Sequence, residues 1–302
     1  MKQLLIVGSI AIDSIQTPWG SADSVLGGSA TYAALGARFW TPVGVVGVVG
    51  TDFPERFKKS FRKYGIDGVG FRQVEGKTFR WKGRYNQDLQ PTTLYLDLGV
   101  FGGFQPRLPD SLKRAPYVFL GNIHPALQWR VLKQLRSPKI TACDSRDDWI
   151  STQRRGFLKL LKKVDIVFLN DSEVRLLTGL HSLVQATRVL ARFGPKVAIV
   201  KKGEHGVLAA SRDSFFTLPA YPLQKVVDPT GAGDAFAGAC LGYLTTHRKV
   251  SWEVLCRGVE FGSSVASMTI EDFGPSRLMN ATIRDVLKRS RVFRSLTRAI
   301  IV

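Results

Sequence analysis

The chain has 302 residues, 44 % of them apolar, and a formal net charge of +19. That length builds one large core with at most a small appendage, and no run of about 18 apolar residues is present to cross a bilayer. Three scattered cysteines (Cys143, Cys240, Cys256) and four distant histidines argue against a disulfide framework or a zinc cluster and suit a cytoplasmic protein. The N-terminal MKQLLIVGSIAID lacks a cleavage pattern and reads as a first strand rather than a signal peptide. Lys and Arg concentrate at 56–63, 154–163 and 284–298, each of which fits the solvated face of an amphipathic helix. No basic–aromatic motif of a nucleic-acid fold accompanies them. The charge therefore implies a basic surface for anionic small ligands, with only non-specific polyanion binding at low salt.

Residues 3–9 (QLLIVGS) form a continuous apolar run, the pattern of a buried parallel strand. Asp13 follows just past its carboxyl end, where open α/β sheets bind ligands; the alternative is an Asp that caps a turn. Gly27-Gly28 allows close backbone approach, and Ser29 can cap the helix that follows. Residues 42–50 predict a second buried strand, and 51–64 a basic amphipathic helix. From 69 to 102 the pattern alternates instead, with Phe79, Trp81 and Tyr85 on one face and Arg80, Lys82 and Arg84 on the other. This predicts a small β-flap at about 72–102, completed by part of about 12–20.

From residue 116 strands and helices alternate regularly, including a helix over 149–163. Polar residues stand at the strand ends: Asn122, Asp144 and Asn170. Repeated βα units of this kind predict a mostly parallel sheet flanked by helices. Asn170 and Glu173 share one face at the start of a helix, a spacing that also suits a capping box. Residues 196–210 read as strand, turn, strand around Lys201, Gly203 and Gly206. Residues 252–270 and 281–298 predict two further helices.

The most informative stretch is Val226–Gly242, VVDPTGAGDAFAGACLG. Asp228-Pro229-Thr230 is a turn signal, and Gly231-Ala232-Gly233 leads into an apolar helix that opens at Asp234. A glycine-rich turn feeding a helix N-terminus is an anion site, because free amide groups and the helix dipole both face the ligand. A carboxylate beside a phosphate cradle can take the proton from a hydroxyl that attacks the terminal phosphate. Asp234 can alternatively serve only to stabilise the first helical turn, and the dipole is expected to lower its pKa.

DPTGAGDAFAGA resembles the signature of the ribokinase-like family of carbohydrate and nucleoside kinases, the phosphofructokinase-B type. Motif order agrees over nearly the whole chain, with the specific content at 27–32, 170–173 and 228–234. The resemblance implies a single ribokinase-like α/β domain over 1–302 with a small β-sheet lid. It makes Asp234 the catalytic base and the amides of Gly231, Ala232, Gly233 and Asp234 the anion hole. Asp13, Gly27, Gly28 and Tyr32 become substrate-binding positions. Lys201, Gly203 and Gly206 flank ATP. Asn170 and Glu173 organise Mg2+, partly through water, and Asp228 and Thr230 offer a monovalent-cation site for K+. Arg80, Lys82 or Arg84 could neutralise a substrate phosphate, and the lid could contribute a homodimer contact.

The implied activity is transfer of the ATP γ-phosphate to a hydroxyl of a small sugar or sugar-like molecule; the alternative acceptor is a nucleoside. One departure bears on this choice. Where the family commonly has a sugar-binding Asn, four residues after the second Gly, this chain has Tyr32, which with the aromatic flap leans toward a flat group. A silent nucleotide or sugar sensor is disfavoured by the intact Asp234, Asn170 and Glu173. A dinucleotide oxidoreductase is disfavoured by the lack of GxGxxG after the first strand.

Overall fold

The computed structural model describes residues 3–296. β1 (Leu4–Val7) is buried along its whole length. Leu4 and Ile6 enter one apolar layer and Leu5 and Val7 the other, as a strand covered on both faces requires. β2 (Ala11–Thr17) and β3 (Gly20–Gly27) then form an antiparallel hairpin outside the main sheet. α1 (Ser29–Ala37), β4 (Val43–Gly50), α2 (Glu55–Lys63) and β5 (Ile66–Val74) follow. β6 (Arg80–Tyr85) and β7 (Pro91–Asp97) join the first hairpin, giving a second sheet of order β3-β2-β6-β7.

The regular part of the chain runs β8 (Tyr117–Leu120), α3 (Pro125–Leu132), β9 (Ile140–Asp144), α4 (Asp147–Thr152), α5 (Arg154–Leu161), β10 (Ile166–Asn170), α6 (Asp171–Thr178), α7 (Leu183–Arg192) and β11 (Val197–Lys201). β12 (Val207–Ala210) and β13 (Phe215–Leu218) close one edge of the sheet. α8 (Ala232–Leu244), α9 (Trp252–Thr269), α10 (Ser276–Asn280) and α11 (Ile283–Leu296) complete the chain. The main sheet has nine strands in the order β13-β12-β11-β10-β9-β8-β1-β4-β5, parallel except for β12 and β13. One apolar layer contains α1, α8 and α9; the other contains α3, α5, α6 and α7. Among the described residues no helix is long and apolar enough to cross a membrane.

α1 and α8 cross with their backbones in contact. A Cβ on Gly238 would lie 1.9 Å from the carbonyl oxygen of Ala33, and one on Gly36 would lie 2.3 Å from that of Ala235. Both helices begin at predicted site loops, so this crossing fixes one loop against the other.

The structure differs from the sequence reading in several places. The alternating segment from 69 begins in β5, which pairs in parallel with β4 as far as Val74, so residues 72–74 belong to the main sheet. An edge strand with one wet face alternates just as a flap strand does. The helix expected over 149–163 is two helices, broken at Gln153, where φ is −122° and ψ 25°. At the start of α5, Arg154 donates 2.6 Å to the carbonyl of Leu177 at the end of α6. Ser29 does not cap α1; it is the first helical residue, and its hydroxyl accepts from the Ser9 amide at 3.2 Å. The final expected helix is α11, whose last predicted residues, 297 and 298, lie outside the described residues.

Candidate active site

Three neighbouring parallel strands end together. Register pairs Phe168 with Asp144 and Asn170 with Lys201, so the ends of β9, β10 and β11 place Asp144, Asn170 and Lys201 along one carboxyl edge. Lys201 Nζ donates to Asp144 Oδ2 at 2.6 Å. Asp144 Oδ1 accepts from the Ser145 amide at 2.8 Å, which fixes the carboxylate. Burial alone would lower the Lys201 pKa, but Asp144 and Glu173 outweigh it and hold the ammonium above the ordinary lysine value. Asp144 stood out in the sequence only as a polar strand end. Its ion pair with a lysine two strands away is the main functional feature that sequence reasoning missed.

Asn170 and Glu173 form the capping box that their spacing allowed. Asn170 Oδ1 accepts from the Glu173 amide and Glu173 Oε2 accepts from the Asn170 amide, each at 2.7 Å. The box holds the Glu173 carboxyl in the interior, where burial and nearby Asp144 push its pKa up to about 8. Such a carboxylate gains from a divalent cation. Among the described residues no three metal-ligating side chains converge. Carboxylate and amide oxygens such as those of Glu173 and Asn170 are the donors a hard ion like Mg2+ takes, with water and phosphate completing its shell.

The motif turn supplies the opposite wall. Gly231 is left-handed (φ 73°) and caps α8. A Cβ there would also stand 2.2 Å from the Tyr32 ring, so only glycine fits on both counts. The Ala232 amide donates weakly to Pro229 at 3.3 Å, whereas those of Gly233 and Asp234 have no partner among the described residues. Asp234 occupies the first turn of α8, partly open to the cleft. The expectation that the dipole lowers its pKa is not met: burial dominates, Asp144 adds to it, and together they push Asp234 up to about 7 against the pull of Lys201. A Cβ on Gly233 would lie 3.0 Å from Lys201 Nζ, so the lysine reaches the same helix start.

Asp13 lies in β2 at the base of the second sheet. A Cβ on Gly27 would overlap its carboxylate, and the nearby Gly28 amide favours its charged form. Burial first, then Asp228, pushes Asp13 up to about 7. Tyr32 is buried, with its ring against Gly231 and its hydroxyl without a hydrogen-bond partner. Burial and the charges of Asp228 and Asp13 raise its pKa. Asp228 is buried, and its carboxylate accepts from the Thr230 amide (2.9 Å) and the Gly274 amide (2.8 Å), pinning the turn. The Thr230 hydroxyl meets Tyr85 Oη at 3.0 Å, which ties β6 to the motif turn.

Not every expected residue joins this cluster. Gly203 and Gly206 lie in the turn beyond β11, and Gly206 packs on the backbone of Leu218 and Pro219. Arg80 pairs with Asp52 at 2.7 Å, and Arg84 donates to Gln16 at 3.0 Å.

The sequence matches the pattern of the pfkB family carbohydrate kinases over residues 1–282. A cytidine kinase of Thermococcus kodakarensis is 31 % identical over 252 residues, spanning 80 % of this chain and 89 % of that protein. A nucleoside kinase of Methanocaldococcus jannaschii is 24 % identical over 295 residues, spanning 91 % and 92 %. Among solved structures, a candidate ribokinase II of E. coli in complex with ATP and Mg2+ superposes with a TM-score of 0.81 at 18 % identity, covering 97 % of this chain and all of that one.

Proposed function

The chain belongs to the pfkB family of carbohydrate kinases, and from that premise we propose that it transfers the γ-phosphate of ATP to a hydroxyl of a nucleoside. The observation that carries the transfer step is the start of α8, where unpartnered amides and the Asp234 carboxylate share one helical turn. The acceptor oxygen attacks the γ-phosphorus and its proton passes to Asp234. The amides of Gly231, Ala232, Gly233 and Asp234 receive the charge that develops on the phosphoryl oxygens. The acceptor lies against Asp13 at the base of the second sheet, with Gly27 beside the carboxylate and the outer strands β6 and β7 acting as a lid. Mg2+ supplies charge neutralisation at the phosphates, and Glu173, oriented by Asn170, would hold it with water between. K+ is a candidate ion near Asp228 and Thr230.

The nucleoside is favoured over a free sugar by two lines of support. The cytidine and nucleoside kinases align over most of the chain. Trp81 and Tyr85 lie edge to face on β6 of the second sheet with centroids 6.3 Å apart. Aromatic faces of this kind suit a base. Three unpaired cysteines fit a reducing cytoplasm, and the exposed Leu94, Tyr95 and Leu96 of β7 offer a surface for a second copy of the chain.

ADP release with Mg·ATP against matched panels of nucleosides, pentoses and hexoses tests the substrate reading. Turnover is expected with a nucleoside and not with free hexoses. Turnover with sugars alone would return the acceptor to the sugar class and leave the kinase reading in place.

The pH profile provides a second check. Asp234 must be ionised to take the acceptor proton, and its pKa is raised to about 7. kcat/KM is therefore expected to climb with pH up to about 7 and level off above it. A profile flat from pH 5 to pH 8 would contradict the role of Asp234 as base.

A further inference from the structure

We propose that Lys201 is a catalytic residue that binds the transferring phosphoryl group, and that Asp144 is the positioning residue that holds it there. The inference rests on the kinase reading above and deepens it: Lys201, expected only to flank ATP, is assigned to the transferring group, and Asp144 is given a role. The geometry is specific. Lys201 Nζ contacts Asp144 Oδ2 at 2.6 Å and stands where a Cβ of Gly233 would be only 3.0 Å away. The ammonium thus stands beside the start of α8, on the side where Gly233 carries no side chain. It has three N–H donors, of which one has a hydrogen-bond partner among the described residues.

Charge points the same way. Asp144, Glu173 and Asp234 all act electrostatically on Lys201, so three carboxylates face one ammonium. A polyanion entering that corner would be repelled by the carboxylates and needs a fixed cation at the point of transfer. A buried ion pair is on average a poor source of stability compared with apolar packing. The Asp144–Lys201 pair, at the carboxyl edge of the sheet beside the helix start, is accounted for by a role in binding anions. Asp144, held by the Ser145 amide, keeps the flexible lysine side chain aimed at α8.

In the step itself the acceptor oxygen forms a bond to the γ-phosphorus while the bond to the β,γ-bridging oxygen breaks, and that electron pair leaves with ADP. The acceptor proton goes to Asp234. Lys201 gives up no proton; it donates hydrogen bonds to an oxygen of the moving group.

The test uses the full chain as wild type, Lys201→Met and Asp144→Asn, each checked for a cooperative melt. Calorimetry with Mg2+ compares the β,γ-imido analogue of ATP with ADP, and kcat is measured separately. A hydrogen bond to a charged group predicts that Lys201→Met weakens the analogue roughly 10–100-fold and leaves ADP nearly unchanged. Loss of a preorganised donor predicts a fall in kcat of about 10²–10³-fold, with little change in KM for the acceptor. Asp144→Asn should move the analogue-to-ADP ratio in the same direction by less, and Asp144→Glu should restore part of it. A purely structural pair would move both nucleotides together. Equal weakening of analogue and ADP, or a kcat for Lys201→Met close to wild type, overturns the inference. If Lys201→Met fails to melt cooperatively, Lys201→Gln gives the same comparison. The two readings fail separately: absence of acceptor-dependent ADP release in the wild type removes the kinase reading, whereas the binding ratio judges Lys201 by itself.

Discussion

Asp234→Asn is expected to lower kcat by about 10²–10⁴-fold while nucleotide affinity stays close to wild type. The amide keeps the shape of the side chain and the first turn of α8, but it cannot take the acceptor proton. The same substitution should make the unliganded protein more stable above pH 7. The sign follows from the raised pKa. Asp234 titrates near 7 in the folded chain, against an ordinary value of 3.8, so the folded state binds more protons than the unfolded state between those values. Its favourable contribution is complete below about pH 4 and is lost as pH rises through about 7. Asparagine carries no charge and escapes that loss. Activity falling while the melting temperature at pH 8 rises is the signature of a group kept at a cost for chemistry. An Asp234→Asn protein with near-normal turnover would remove this residue from the mechanism.

Gly238→Val is expected to destabilise the protein by at least about 3 kcal/mol, beyond the usual range for overpacking a core. The new Cβ would stand 1.9 Å from the Ala33 carbonyl oxygen, and backbone cannot rotate away as a side chain can. Gly103→Ala is the control, since a Cβ there meets nothing within 4 Å. Thermal melts should separate the two variants clearly. Any Gly238→Val protein that folds should also lose kcat/KM, because spreading α1 from α8 moves Gly28 away from Gly231. A displacement of about 1 Å can cost on the order of 10²-fold in rate. A Gly238→Val melt that matches wild type would mean that the helices part without cost.

The sheet and its helices were readable because buried parallel strands are apolar on both faces, and runs such as LLIV leave little else for the chain to do. The motif turn was readable because its spacing is local: Gly231, Ala232, Gly233 and Asp234 are consecutive. Asp144 and Lys201 were not readable as a pair. They are 57 residues apart and separated by β10, so only the register of three strands brings them together. Tyr32 illustrates a different limit. Its place four residues after Gly28 made it a substrate-binding candidate, and its ring packs on Gly231 at the head of α8, a contact between distant segments that local spacing does not display. The pKa of Asp234 was misjudged because the sequence displays the helix dipole and hides the burial.

The contact between α1 and α8 divides the molecule into parts that can move and parts that cannot. The Asp13 carboxylate packs on Gly27 just before the head of α1, and Asp234 lies at the head of α8. Glycines at the crossing press one helix directly on the other, so both heads share a single mechanical datum. The outer strands β6 and β7 hang on β2 and reach the motif turn through one hydrogen bond, from Tyr85 to Thr230. A movement confined to the outer strands would have to break the Tyr85–Thr230 bond and the Arg80–Asp52 pair. The span from acceptor to base stays set by bare backbone, as the bed of a lathe stays fixed while its carriage travels.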